Sequence, residues 1–376
     1  MNELNYIEKL LDGEKVEWKP LWEIADLIRG RVISKDYLLN NVGDYPVYSS
    51  QTVNNGQIGK INTYDYDGEF VNWTTDGANA GTIFYRTGKF SVTNVSGLIK
   101  LKSDIRLTHK FIFYWLSREA YKYVYSGMGN PKLMSHQIEK IFIPIPPIHV
   151  QKKIVQILDA FTELTTELTT ELKARKKQYN YYRDRLLTFG DDVQWKPLGE
   201  ILIRTKGTNI TASQMKILHR PSAPLKIFAG GKTVAFVNFE DIPEKNINRY
   251  HSIIVKSRGV IEFEYYDKPF SHKNEMWAYH SINININIKF VYYFLKTQEP
   301  YFQHLGSKMQ MPQIATPDTD KFKIPIPPLH VQERIVKLLD KFDTLTDSIT
   351  DGLPREIELR KQQYNYYRDL LLTFPK

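Results

Sequence analysis

Ile143-Pro144-Ile145-Pro146-Pro147-Ile148-His149-Val150-Gln151 returns further down the chain as Ile324-Pro325-Ile326-Pro327-Pro328-Leu329-His330-Val331-Gln332. Each copy opens a long helical pattern. The first closes on Gln178-Tyr179-Asn180-Tyr181-Tyr182-Arg183-Asp184 and the second on Gln363-Tyr364-Asn365-Tyr366-Tyr367-Arg368-Asp369. A repeat of this length and fidelity marks two copies of one large unit, not a short solenoid module.

Working outward, Trp18-Lys19-Pro20-Leu21-Trp22-Glu23-Ile24 is matched by Trp195-Lys196-Pro197-Leu198-Gly199-Glu200-Ile201. Residues 1–17 read as a short helix with Leu4, Ile7, Leu10 and Leu11 on one face. Lys9-Leu10-Leu11-Asp12-Gly13 loosely matches the tail of a repeat, Arg185-Leu186-Leu187-Thr188-Phe189-Gly190. The chain therefore reads as circularly organised, its first helix completing what its last leaves open.

Between the repeats lie two segments, 18–142 and 195–323, that share landmarks and little else. In the first, Asp67-Gly68, Asp76-Gly77 and Thr87-Gly88 read as turns between short strands. An apolar helix at Lys110–Leu116 leads to a Gly-rich loop at Ser126–Lys132; Lys289–Leu295 and Gly306–Gln313 are the counterparts. The expected fold class is α+β: two mixed globular domains separated by two long helices, 143–194 and 324–376, packed as an antiparallel coiled coil with pseudo-two-fold symmetry.

The helices carry the seam that such packing needs. Ile154, Leu158, Phe161, Thr165, Leu168, Leu172, Arg175, Tyr179, Tyr182 and Leu186 alternate steps of four and three. A continuous helix over Ile148–Phe189 would measure roughly 60 Å. The second copy inserts one extra step of four between Leu353 and Ile357, which keeps the seam in phase. Gly352 and Pro354 predict a break there.

Composition sets the class. The 376 residues suffice for two domains with cores, and a hydrophobic fraction of 42% is ordinary for a soluble chain. No run is long enough to span a bilayer and the N-terminus has no apolar signal, so a cytoplasmic protein is expected. The absence of cysteine excludes disulfides, thiolate metal sites and Cys nucleophiles. A formal charge of +9 favours a polyanionic partner, nucleic acid before membrane.

Signs of catalysis are missing. An adenine methyltransferase needs an Asn-Pro-Pro-Tyr-like element, yet both Pro-Pro pairs follow Ile-Pro-Ile. Gly127-Met128-Gly129 lacks the strand and helix of a cofactor loop, and no P-loop occurs. Pro317-Asp318-Thr319-Asp320-Lys321 reads as a turn, not a nuclease site. His149 and His330 read as helix-entry packing or partner contacts, not metal ligands. No catalytic or metal-binding residue is assigned.

The doubled Pro-Pro-x-x-x-Gln-x-x-Ile pattern, followed by Leu158/Leu339, Asp159/Asp340 and Phe161/Phe342, resembles the specificity (S) subunits of Type I restriction-modification enzymes. The resemblance covers essentially the whole chain. It departs at Val150 and Val331, where the family often has an acid. It implies a subunit without its own chemistry or cofactor, whose globular segments are recognition domains for the halves of a split, asymmetric DNA sequence. The helices would set the spacing and dock two modification (M) subunits that bind S-adenosylmethionine and methylate adenine. Restriction (R) subunits can join them to cleave DNA. The recognition domains would then meet successive major grooves, roughly 34 Å apart. Two other readings stay open: an enzyme with a cryptic site, and a coiled-coil scaffold that reads no sequence.

Sequence readers need donors and acceptors that reach base edges, so the candidates are polar residues of rim loops. In the first domain they are Ser50, Gln51, Asn54, Thr75, Asn79, Asn130, Lys132 and Gln137. In the second they are Lys206, Lys232, Arg258, Lys273, Lys308, Gln310 and Gln313, with His272 beside them.

Overall fold

The computed structural model describes residues 4–127, 129–231, 233–307, 311–348 and 350–375. They form two compact units, one of residues 1–169 with 356–376 and one of residues 170–355.

In the first unit, helix α1 (Leu4–Leu11) precedes β1 (Glu17–Pro20) and β2 (Ala25–Arg29). β3 (Val42–Tyr48), β4 (Gln57–Ile61), β5 (Tyr66–Thr74), β6 (Ile83–Val92) and β7 (Ser96–Leu101) follow. Strands β2 to β7 form one six-stranded sheet of order β2-β7-β5-β6-β3-β4, antiparallel except where β3 meets β6. Of the three expected turns, only Asp76-Gly77 lies between strands. Gly68 and Gly88 instead face each other across the β5–β6 ladder, both with positive φ (125° and 79°). Each supplies the backbone freedom of a turn glycine, spent on an irregularity inside a long hairpin.

One face of this sheet packs on α2 (His109–Glu119), burying Val71, Trp73, Ile83 and Ile99 with Phe111, Ile112, Trp115 and Leu116. The other face holds a smaller cluster of Phe70, Phe90, Val92 and Leu98. The Pro-rich repeat enters as β8 (Phe142–Ile145), which pairs antiparallel with β1, and then opens helix α3 (Ile148–Leu186). Ile7 and Leu11 of α1 share the main core with Ile154 and Leu158, and with Leu371, Leu372 and Phe374 from the far end of the chain. Trp18 Nε1 donates to the carbonyl of Pro375 at 3.1 Å.

The second unit repeats the frame and changes the head. β9 (Gln194–Pro197) pairs with β17 (Lys323–Ile326) as β1 pairs with β8. Between them, β10 (Ile203–Arg204), β16 (Trp277–His280), β13 (Ser252–Lys256) and β14 (Glu262–Tyr266) form an antiparallel sheet in that order. β12 (Val234–Val237), β11 (Leu225–Phe228) and β15 (Phe270–His272) form a second sheet. Helix α4 (Ile288–Thr297) fills the place of α2 and buries Phe290, Val291, Phe294 and Leu295. The expected turn at Pro317–Lys321 is a short helix, Thr316–Asp320; its Asp320 accepts from the Tyr279 hydroxyl at 2.5 Å and pairs with Arg204.

The last helical region is α5 (Leu329–Thr346) and α6 (Leu353–Leu371), with the expected break between them. Gly352 holds φ +81°, and a Cβ there would stand 2.2 Å from the carbonyl oxygen of Thr344. Ile349, four residues before Leu353, lies outside the described residues. Within the second unit, Lys176 pairs with Asp347 at 3.0 Å and Tyr182 stacks on Phe342 at 6.0 Å. Partner numbers fall as α3 advances, so this packing is antiparallel. In the first unit Phe161 stacks on Tyr367 at 5.3 Å. The expected helix pairing holds within each unit, and the half-buried positions of α3 recur at heptad spacing.

Candidate nucleic-acid interface

The frame that presents each head rests on two side chains of the repeat. Gln151 Oε1 accepts the backbone N–H of Thr108 at 3.0 Å, while its Nε2 donates to the carbonyls of Arg106 and Pro146, both at 2.8 Å. Thr108 in turn caps α2, its hydroxyl accepting from Phe111 N–H. In a capping box the N3 Glu or Gln returns to the N-cap N–H within one helix; here a Gln from another helix does so. Asp159 completes the grip, accepting from the Tyr114 hydroxyl at 2.7 Å and pairing with Lys110. The second unit has the same set: Gln332 on Asn287, Asn285 and Pro327, and Asp340 on Tyr293 and Lys289. His149 and His330, read as helix-entry packing or partner contacts, are both exposed.

At one end of the first head's sheet, four separate loops come together. Asn79 Nδ2 reaches the carbonyl of Ser50 at 3.4 Å, and Ser49 Oγ meets Thr93 Oγ1 at 2.9 Å. Asp76 and Lys132 form a backbone bridge, with their side chains 3.7 Å apart. Asn54, Asn130 and Lys132 are exposed on this rim; Ser50, Gln51 and Asn79 are half-buried. Gln51 is partly committed, its Nε2 donating to the carbonyl of Gln57 at 2.8 Å.

Two first-head candidates need correction. Thr75 is fully buried, because its backbone is tied on both sides to distant segments, Val95 and Leu133, and its hydroxyl turns to Asp76. Gln137 is consumed by its own turn: Oε1 accepts from Met134 N–H and Nε2 donates to the carbonyl of Tyr123. Neither side chain is free to read a base in this conformation.

The second head gathers its candidates in the same manner. Ser257 Oγ donates to the carbonyl of Glu275, the backbone of Ser257 receives Ile314 N–H, and Arg258 bridges Gln313. Thr208 bridges Lys273. Segments around residues 206, 258, 273 and 313 thus form one rim, with Lys206 and Arg258 exposed and Gln313 half-buried. Lys273 is paired with Glu275 at 2.8 Å. Burial alone would raise the Glu275 carboxyl, but the Lys273 hydrogen bond and the charges of Lys273 and Arg258 outweigh it and hold it below the usual carboxylate range. His272 is fully buried between Thr205 and the carbonyl of Lys273, and burial holds its imidazole below the ordinary histidine value. It too is withdrawn from the rim. Lys232, Lys308 and Gln310 lie outside the described residues.

Among the described residues no group of three or more His, Asp or Glu side chains could hold a metal ion. No helix is long and apolar enough to cross a membrane. Each head carries its own polar rim, of different composition, on the same kind of frame.

Comparison with known proteins follows the same division. The model of the Type I restriction modification DNA specificity domain matches twice, at residues 13–177 and 192–359, each match taking one head with most of its helix. This chain belongs to the type I specificity-subunit family. The Type I restriction enzyme EcoR124I/EcoR124II specificity subunit of Escherichia coli is 34% identical over 411 residues, covering 100% of this chain and 98% of that relative. A putative type I restriction enzyme specificity subunit of Haemophilus influenzae is 33% identical over 396 residues, covering 99% of both. The crystal structure of a type I restriction-modification S subunit from M. genitalium superposes with a TM-score of 0.67 at 16% identity, over 97% of this chain and 98% of that one. That likeness concerns the fold. As a specificity subunit, the chain is the sequence-recognising, non-catalytic component of such a system.

Sequence reasoning missed parts of the first rim of this specificity subunit. Arg29 is exposed and its Nη2 donates to the carbonyl of Asn94 at 2.8 Å, which brings a cation beside the β6–β7 turn. Arg86 lies beneath the loop that carries Ser50, Gln51 and Asn54. No local pattern marks either one; both sit in strands that read as ordinary amphipathic segments.

Proposed function

We propose that each head reads one half of a split, asymmetric DNA target, and that the helices fix the spacing of the halves and dock two M subunits. Those partners bind S-adenosylmethionine and methylate adenine in both halves; this chain supplies neither the cofactor site nor the chemistry. R subunits join the same assembly to cleave unmethylated DNA. One observation carries the reading. Gln151 and Gln332, with Asp159 and Asp340, hold α2 and α4 by the same bonds, yet the rims above them share almost no residues. A frame kept constant under two different readers suits a target with two different halves, since phosphate contacts position a protein while base contacts specify.

The test is a methylome map of cells expressing this chain with the adenine methyltransferase subunit from the same genome. New methylated adenines in one split, asymmetric motif support the proposal and deliver the target. A stable complex that adds no methylation, and binds competitor DNA without sequence preference, would leave the chain a scaffold.

A further inference from the structure

Arg86 is the most unusual polar residue of the first head. It lies in β6 opposite Phe70, 2% exposed, and its Nε donates a long hydrogen bond to Asn72 Oδ1 at 3.3 Å, with Tyr48 as its other polar neighbour. Among the described residues Nη1 and Nη2 meet no acceptor in hydrogen-bond geometry. The guanidinium carbon stands 3.7 Å from the centre of the Tyr48 ring and 4.3 Å from that of Phe84, so aromatic faces, not carboxylates, surround the charge. Burial pulls its pKa down to about 10, with Tyr48 offsetting part of the fall, so the group stays charged at neutral pH. A buried guanidinium with both terminal nitrogens unpaired is costly to keep.

Its cover is thin. A Cβ on Gly56 would stand 2.9 Å from Nη2, so the glycine backbone lies directly against the guanidinium. Gly56 ends a loop in which Asn54, Asn55 and Gly56 all hold positive φ (51°, 53° and 79°). The loop is closed by Ser49 N–H to the Gly56 carbonyl and by Gln51 Nε2 to the Gln57 carbonyl, while residues 52–55 are exposed. The same loop carries Ser50, Gln51 and Asn54.

We propose that Arg86 is a DNA-contacting residue, covered by the 49–56 loop in the free chain, whose two terminal nitrogens take acceptor atoms of the target duplex when that loop is displaced. The proposal rests on the reading of this rim as the DNA face. The partner chemistry is an acceptor pair matched to a planar fork, offered by the O6/N7 edge of guanine or by a phosphate. DNA binding supplies what the fold withholds, and aromatic stacking keeps the group in place until then.

The experiment uses the full chain assembled with its methyltransferase partners. Its probes are a duplex carrying the motif that the wild-type assembly methylates, and duplexes with each base pair of the first head's half changed in turn. Arg86→Met is expected to melt no lower than wild type, because an apolar side chain of similar length relieves an unpaired buried charge, and to bind the motif duplex at least tenfold more weakly. A guanine contact confines the loss to the motif and removes discrimination at one base pair. A phosphate contact weakens all duplexes alike and lowers the salt slope by about one. Wild-type affinity, discrimination and salt slope in a folded Arg86→Met assembly would overturn the proposal. Should Arg86→Met fail to fold, Arg86→Lys decides: it keeps the charge and loses the fork, so unaltered binding by that variant overturns the proposal too. Wild-type binding indifferent to every change in this half-site overturns the recognition reading, and the proposal with it.

Discussion

Gln332 Oε1 accepts the backbone N–H of Asn287 at 2.9 Å, and Asn287 Oδ1 then accepts the N–H groups of Lys289 and Phe290. The start of α4 is therefore held by a relay running from the Pro-rich repeat into the head. Gln332 itself is 1% exposed and also donates to the carbonyls of Asn285 and Pro327. Gln332→Leu removes three bonds and strands polar groups that water reaches poorly, a loss of about 2–4 kcal/mol. Gln332→Glu restores only the acceptor and turns a charge toward two carbonyls, so it is expected to rescue little. Urea unfolding of wild type and both variants reads this directly. A Glu variant as stable as wild type would show that the two donated bonds contribute nothing.

The repeat that carries that relay was legible in the sequence because it is written twice at one spacing. The doubled Pro-Pro-x-x-x-Gln marks the clamp, and Asp159 and Asp340 follow it in register. The heads were less legible because their pairings are non-local. Gly68 and Gly88 carry local turn signals, yet a long antiparallel ladder places them opposite each other. Thr75 has the look of a loop residue until Val95 and Leu133, from distant segments, close over it. Arg86 has no local pattern that marks it as buried, and the residues that cover it, Tyr48, Phe84 and Gly56, come from different parts of the sheet and its loops.

Asp343 gives a dependence on pH. Burial pushes its carboxyl above the ordinary value of 3.8; the hydroxyls of Tyr293 and Tyr179 pull the other way, and the like charges of Asp347 and Asp340 add to the rise. The folded chain thus keeps this proton to higher pH than the unfolded chain. Its contribution is fully present below the ordinary carboxyl value and is lost as pH rises through the folded one. Asp343→Asn keeps an acceptor for the Tyr293 hydroxyl, now 2.6 Å from Asp343 Oδ2, without the charge. The variant is expected to be more stable than wild type at neutral pH, with the gap closing on acidification. Denaturant midpoints across the acid range test the sign, and a gap that widens toward low pH contradicts it.

Gly352 tests the break between α5 and α6. A left-handed φ of +81° costs an L-residue about 1–2 kcal/mol, and a Cβ would also stand 2.2 Å from the Thr344 carbonyl oxygen and 2.8 Å from that of Leu345. Gly352→Ala should therefore lose more than the backbone strain alone. Gly352→Asn separates the causes, because Asn tolerates the left-handed region but still carries a Cβ. Thermal melting of both variants is the measurement. If Asn restores wild-type stability, strain is the whole effect; if it melts with Ala, the close approach dominates.

Lys206 offers the plainest electrostatic test of the second rim. It is exposed, with no ion pair among the described residues, whereas its neighbour Lys273 is held by Glu275. A free cation on a DNA-facing rim displaces condensed counterions without reading sequence, so its loss should act on all duplexes alike. Lys206→Ala in the assembled methyltransferase is expected to weaken target and non-target duplexes by a similar factor. It should also reduce the slope of log affinity against log salt by about 0.9, with folding stability within about 0.5 kcal/mol of wild type. Binding titrations at several salt concentrations, with target and scrambled duplexes, provide the check. A loss confined to the target would make Lys206 a base contact, and an unchanged slope would place this loop off the DNA.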